Sequence, residues 1–324
     1  MGSPFAGYSG PLSQGKRLLA RDVIGAQLGL ADVGDIWYVD AGNGSDTAYK
    51  KNDPDQPLAT VGAALAAATA DQDDVIVITG SNSTGRTSES AIIDWNKRRT
   101  HIVGNGPPRK INQRQGIGVA ASASSGFTVS ANNCMFANIS IAAFADTDVM
   151  VEVTGDYNTF MNVHFQGIGH ATPAGETGAR ALLLTGAEEN EFYSCTFGLD
   201  TVERTAANAT VEQTGTCARN KYVDCDFLIF VDGSSAAAVH FKADTGNCYE
   251  RYLIFDRCNF LNADTASSTT LTTAFDLSTT GNGTVFLRDS WSKGASDWAN
   301  NFDALFLTMP IADTDDGGLT KIGT

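Results

Sequence analysis

The chain has 324 residues, 42% of them hydrophobic, which is enough to bury a substantial core. Its 22 Lys and Arg stand against 37 Asp and Glu, a net charge of −15, and no basic cluster occurs, so nucleic-acid binding by phosphate neutralisation is excluded. No apolar run is long enough to span a bilayer as a helix, and the first residues lack the basic region and apolar stretch of a signal peptide, so assembly in a cytoplasm is expected.

Residues 1–15 are rich in Gly, Ser and Pro and are expected to be extended, or disordered on their own. Lys16 to Leu30 carries apolar residues at roughly helical spacing, interrupted by Gly25, and predicts a short amphipathic helix docked on the body or on a partner. Residues 1–35 are accordingly read as an N-terminal arm or attachment segment. At Asp35 the pattern changes. I36-W-Y-V predicts a strand, and D40-A-G-N-G-S-D46 a turn built from residues that tolerate left-handed backbone. P57-L-A-T-V-G-A-A-L-A-A-A follows as a helix, with Thr60 as its N-cap and Leu65 on its apolar face. D74-V-I-V-I and T100-H-I-V are further strands.

From about Val149 to Trp291 one pattern recurs. An alternating apolar run is followed by Gly (Gly155, Gly186, Gly215, Gly246, Gly281), then by a second alternating run closed by an aromatic. The closing residues are Phe165, Phe197, Phe227, Phe260 and Trp291, with Ile141 placed before them. The glycines step by 31, 29, 31 and 35 residues. Two residues before each closing position stand Ile139, Val163, Cys195, Cys225, Cys258 and then Asp289; between them stand Ser140, His164, Thr196, Asp226, Asn259 and Ser290. Apolar and polar residues alternating at period two mark strands with one buried face. About 30 residues per repeat is too short for a four-stranded propeller blade and suits one coil of a parallel β-helix. Like then stacks on like, about 4.8 Å apart, with an aromatic column inside. Asn158, Asn190 and Asn220 share one position, seven before the aromatic, where their side chains can bond across coils.

The entry region Ile36 to Gly106, with its strand, Asn/Gly/Asp turn, P-x-x-T-V-x-x-A-L helix and returning strand, resembles the pectin lyase-like right-handed parallel β-helix superfamily. That resemblance implies an all-β, right-handed parallel β-helix solenoid whose N-terminal capping helix, near residues 60–70, plugs the open end. The expected division is an arm at 1–35, a β-helix at 36–297, and a C-terminal cap and tail at 298–324. Trp298, Phe302, Leu305 and Phe306 suit a short helix or strand that closes the far end.

Six cysteines invite a disulfide scheme, yet Cys195, Cys225 and Cys258 repeat at one inward position, and in-register strands aim them alongside one another, a poor bridging geometry. Buried free thiols are expected. No C-x-x-C occurs, so no zinc site is expected.

Few residues suggest chemistry. G80-S-N-S-T-G-R-T87 nearly spells a phosphate-binding loop, but no convincing helix follows, and a turn is the better reading. The Asp40–Asp46 stretch does not match a calcium loop. Asp224 and Asp226, two apart, are expected on one strand with both carboxylates outward, next to Arg257 and Asn259 one coil on. Lyases and hydrolases of the superfamily place acids and a cation on an exposed strand face in this way, so Asp224, Asp226 and Arg257 form the candidate catalytic set if the chain is an enzyme. An ordinary surface ion pair is the competing reading. Glu188 and Glu189 sit at a turn. His101, His164, His170 and His240 show no ligand pattern and are expected at the surface.

The resemblance extends to β-helix proteins of bacteriophage virions. It implies a non-enzymatic virion structural protein, a capsid decoration or head-spike homotrimer contacting the major capsid or another virion protein, without cofactor or metal. The alternative is a polysaccharide lyase or glycoside hydrolase, tailspike-like, acting on host surface glycan. The loops H170-A-T-P-A-G-E-T-G-A179 and T201-V-E-R-T-A-A-N-A-T210 lack aromatic residues on which sugars could stack, which argues against the alternative.

Overall fold

The structure is a computed structural model that describes residue 25 and residues 33–79, 86–106, 115–119, 125–143, 146–231, 233, 235–243, 245, 247–263 and 269–307. The expected helix at Lys16 to Leu30 lies outside the described residues, Gly25 excepted, and so does the tail beyond residue 307.

The body is a right-handed parallel β-helix with very little helix. One coil shows the plan. Thr159–Met161 lies in a first sheet and His164–Gln166 in a second; Arg180–Thr185 lies in a third, and Glu191–Tyr193 then returns to the first. Every pairing between neighbouring coils is parallel, with Phe160 on Phe192, Phe165 on Phe197 and Leu182 on Val211. Among the described residues the three sheets hold ten, eight and eight strands.

Register dictates what fills the interior. A first aromatic column, Phe136–Phe160–Phe192–Tyr222–Phe255, stacks with centroids 4.7–4.9 Å apart. A second, Phe165–Phe197–Phe227–Phe260, stacks at 4.7–5.0 Å, and the two meet edge to face. Each such ring pair adds about 0.5–1.5 kcal/mol beyond area burial. The repeat as read from the closing aromatics identifies the second column; the first is its partner across the corner. All six cysteines are buried and free, with Cys195, Cys225 and Cys258 beside the rings.

The second alternating run of each repeat is not one strand. It breaks at a two-residue corner whose first member is left-handed: Asn138, Asn162, Ser194, Asp224, Arg257 and Asp289 have φ between 45° and 54°. The second member stays inward, so the apolar alternation passes through the corner unchanged. Each left-handed residue from Asn138 to Arg257 donates its N–H to the last carbonyl of the next coil's first-sheet strand. Asn162 to Tyr193 O (2.8 Å) and Asp224 to Asp256 O (2.9 Å) are examples. The opposite turn is held by Asn158, Asn190 and Asn220, and there Gly186 and Gly215 are left-handed (φ +64° and +75°), as a residue without Cβ allows.

The last repeat corrects the sequence-based register. Phe260 pairs with Ser292 and Asn259 with Trp291, so Trp291 does not close the aromatic column. A one-residue offset turns every side chain of a strand to its other face. Trp291 therefore lies outside, 40% exposed, and Ser290 rather than Asp289 continues the cysteine column.

The amino-terminal end is closed by the helix Val61–Ala67, whose Val61, Ala64 and Leu65 are buried in the main core. Thr60 Oγ1 caps it by accepting from Ala63 N (3.2 Å), and the Glu89 carboxylate takes the N–H groups of Val61 and Gly62 at 3.0 and 3.1 Å. These are donors that a helix start leaves unmet. At the far end Trp298 is buried near Phe260 and Phe275, and Leu305–Leu307 adds the final described strand to the first sheet.

Candidate functional site

Asp224, Asp226 and Arg257 come together at the corner between the first and second sheets, but not as two acids on one strand. Asp224 is the left-handed corner residue between strands Lys221–Val223 and Asp226–Ile229, whereas Asp226 opens the second. The corner intervenes because the chain must change sheet in two residues. Thr196 and Asn259 flank Asp226 in register.

The electrostatics of the corner are those of a closed ion-pair network. Arg257, itself the corner residue one coil on, grips Asp224 in a fork, Nε to Oδ1 at 2.7 Å and Nη2 to Oδ2 at 3.0 Å. Its Nη1 also lies 3.1 Å from Asp256 Oδ2, and Arg288 pairs with the same carboxylate. The Asp224 carboxylate holds the guanidinium pKa above its usual value. Asp226 is only 9% exposed and accepts from Asn259 Nδ2 at 2.7 Å. A carboxylate held in a fork by Arg is a poor proton donor at neutral pH. The arrangement can stabilise an anionic group at the Arg257 and Arg288 edge, both half-exposed.

The other candidates resolve into structural roles. Glu188 and Glu189 pair with Arg219 from the next coil. Asp40 Oδ1 accepts from Gly42 N and Asn43 N, a turn of the expected kind, and Asp46 receives Ala59 N, Thr60 N and the Thr60 hydroxyl. Residues 80–85 of the phosphate-loop-like stretch lie outside the described residues; Arg86 and Thr87 begin a strand, Arg86–Ser88. Among the described residues no group of three His, Cys, Asp or Glu is placed to hold a metal ion.

Three histidines expected at the surface are buried, and only His170 is exposed. His164 has its Nε2 3.0 Å from Gly198 O and its Nδ1 3.2 Å from Gln166 Nε2, and burial pushes its pKa down to about 4. His101 faces Asp73 at 3.2 Å, with its pKa lowered by burial. His240 is wholly buried, near the equally buried Arg204, which sequence reasoning passed over as part of a polar loop.

Trp291 is the other residue that was misplaced. It stands on the outer face of the second sheet beside Asn259, which binds Asp226, so an exposed indole lies in line with an amide and a carboxylate. An aromatic next to hydrogen-bonding groups is what a sugar ring can stack on, and its signal was hidden by the one-residue offset.

No described protein family matches the sequence, and no curated protein matches it either. Solved structures do. Pectate lyase Pel9A superposes with a TM-score of 0.54 at 14% identity, over 79% of this chain and 62% of its own. A pectin methylesterase in complex with a hexasaccharide superposes with a TM-score of 0.54 at 14% identity, over 81% of this chain and 80% of its own. An open reading frame product of a Geobacillus virus aligns over 92% of this chain and 63% of its own, with a TM-score of 0.44 and 10% identity. At these identities the likeness to the two enzymes is one of fold.

Proposed function

We propose that this pectin lyase-like right-handed parallel β-helix is a non-enzymatic structural component of a bacteriophage virion, a capsid decoration or head-spike protein assembled as a homotrimer. The observation that supports this reading best is the fate of the candidate acids. Asp224 is held by Arg257 in a two-bond fork, and Asp226 is sunk to 9% exposure against Asn259. Both act as ties between coils. The acids thus serve a stiff rod, and stiffness is what display from a particle requires.

Mass spectrometry of purified virions, paired with native mass measurement of the recombinant chain, tests the reading. A copy number near that of the major shell protein and a mass three times that of the chain are expected. Absence from virions would overturn it.

A second reading, a glycan-cleaving or glycan-binding tailspike-like protein, is favoured by one specific observation, the exposed Trp291 beside the Asn259–Asp226 pair. Here Asp224, Asp226 and Arg257 would carry the chemistry. Release of reducing ends from host surface glycan, lost in Asp226→Ala and weakened in Trp291→Ala, would bring this reading to the front.

A further inference from the structure

Arg204 lies in the connection between the second and third sheets, where its N–H donates to Phe230 O at 2.8 Å. Its side chain is 1% exposed and turned into the protein. Nη1 donates to Asn208 Oδ1 at 3.1 Å and Nη2 to Thr210 Oγ1 at 3.0 Å, with Leu228 O at 3.5 Å. None of these acceptors carries a charge, and the charged group acting on the guanidinium is another cation, Arg180. Burial lowers its pKa to about 9, so it stays charged at neutral pH. Leaving one buried charge without a counter-charge costs several kcal/mol.

His240 adjoins this cation. Ala209 pairs with Val239 and Val211 with Phe241, which sets His240 beside Thr210, the acceptor of Arg204. Its ring is fully buried near Phe260, and among the described residues neither ring nitrogen has a hydrogen-bond partner. Burial and the Arg204 charge hold the ring neutral, with its pKa pushed down to about 3. A neutral imidazole still carries one N–H donor. Among the described residues the interior therefore holds a cation without a counter-ion and, next to it, a donor with no acceptor. Native interiors leave few buried polar atoms unmet.

We propose that a monatomic anion, chloride in the cell, binds inside the coil between the Arg204 guanidinium and the His240 ring. The guanidinium and imidazole N–H groups are its donors, and Asn208 and Thr210 fix the guanidinium that holds it. A water molecule would satisfy the imidazole but leave the charge uncompensated. A larger oxyanion would ask for more donors than the imidazole N–H and the guanidinium N–H groups left over by Asn208, Thr210 and Leu228 O. The ion would fasten the 201–210 connection onto the third sheet, giving this polar segment a reason to enter the core.

The test is thermal unfolding of the full chain as chloride replaces gluconate at constant ionic strength. Once chloride exceeds its dissociation constant, the midpoint should rise by about 2 °C for each tenfold increase. The rise should vanish in Arg204→Met and shrink in His240→Phe, and persist in the surface control Arg98→Ala. Crystals grown with bromide should show an anomalous peak between Arg204 and His240. Should Arg204→Met fail to fold, His240→Phe and the bromide crystal still decide. Equal midpoints in both salts, an equal rise in His240→Phe, or a bound water with no bromide there would overturn the proposal.

Discussion

The carboxamide oxygen of Asn220 accepts the main-chain N–H of Asn190, 2.8 Å away on the previous coil, and Asn190 does the same for Asn158 at 2.9 Å. The amide nitrogens reach back to the turn of the coil before, Asn190 Nδ2 to Gly155 O at 3.1 Å and Asn220 Nδ2 to Ala187 O at 2.9 Å. One side chain thus satisfies a donor and an acceptor that no strand can reach, because the turn lies off the sheets. A carboxylate could accept but not donate, and a shorter side chain could do neither.

Replacing Asn190 by Ala should therefore leave the Asn158 N–H and the Gly155 carbonyl buried and unpaired. At about 1–3 kcal/mol for each unmet group, a loss of about 2–6 kcal/mol is expected. Urea denaturation followed by circular dichroism measures it. A loss under about 1 kcal/mol would mean that the ladder is not what closes the turn.

The register of the last repeat makes a contrasting pair of substitutions informative. Phe260 is fully buried between Phe227 and Phe275, so Phe260→Ala should cost about 3–5 kcal/mol. Trp291→Ala should cost under about 1 kcal/mol because the indole lies outside. It should also remove the red-side tryptophan emission, since Trp37, Trp95 and Trp298 are buried. Equal destabilisation by the two changes would restore Trp291 to the core column.

The cysteine positions yield a chemical prediction. All six thiols are buried, and burial raises the pKa of Cys217 to about 12 and those of Cys225 and Cys258 well above the ordinary thiol value. The thiolate is the reactive form. The native protein should therefore leave a thiol-reactive chromogen uncoloured, whereas the denatured protein should titrate all six cysteines. Prompt reaction of even one thiol in the native state would show that the coil opens there.

The repeat was legible because stacked coils require the same residue type at the same place, so Phe165, Phe197, Phe227 and Phe260 announce both the period and the face. The Asn158–Asn190–Asn220 ladder was legible for the same reason. The corner was not, since Val163, Cys195 and Cys225 stay inward through it and the alternation never breaks. Only the left-handed backbone at Asn162 and Asp224 separates the two sheets, and Ser194 and Arg257 at the same place hide that signal. Trp291 was misplaced because a closing aromatic counts the same in a pattern whether it faces in or out. Burial of His164 depends on Gly198, 34 residues on, and no local spacing shows such a partner.

The buried histidines set a pH dependence whose sign follows from their pKa values. An unfolded His binds its proton near pH 6.5, whereas His164 in the folded chain resists protonation until about pH 4, and burial is the main cause. Between these values the unfolded state holds more protons, so stability increases with pH. His101 shifts in the same direction, and His240 extends the window to about pH 3. The stability these groups contribute is thus complete above about pH 6.5 and is lost steadily as the pH falls, with His164 alone accounting for about 3 kcal/mol by pH 4. Urea midpoints measured from pH 7.5 to 4.5 should fall accordingly, and His164→Gln, which keeps a polar side chain but no titrating group, should flatten the curve. A wild-type midpoint that stays level from pH 6.5 to 4.5 would show that the ring is protonated in the folded chain, and would undo its assignment as a neutral link between Gln166 and Gly198.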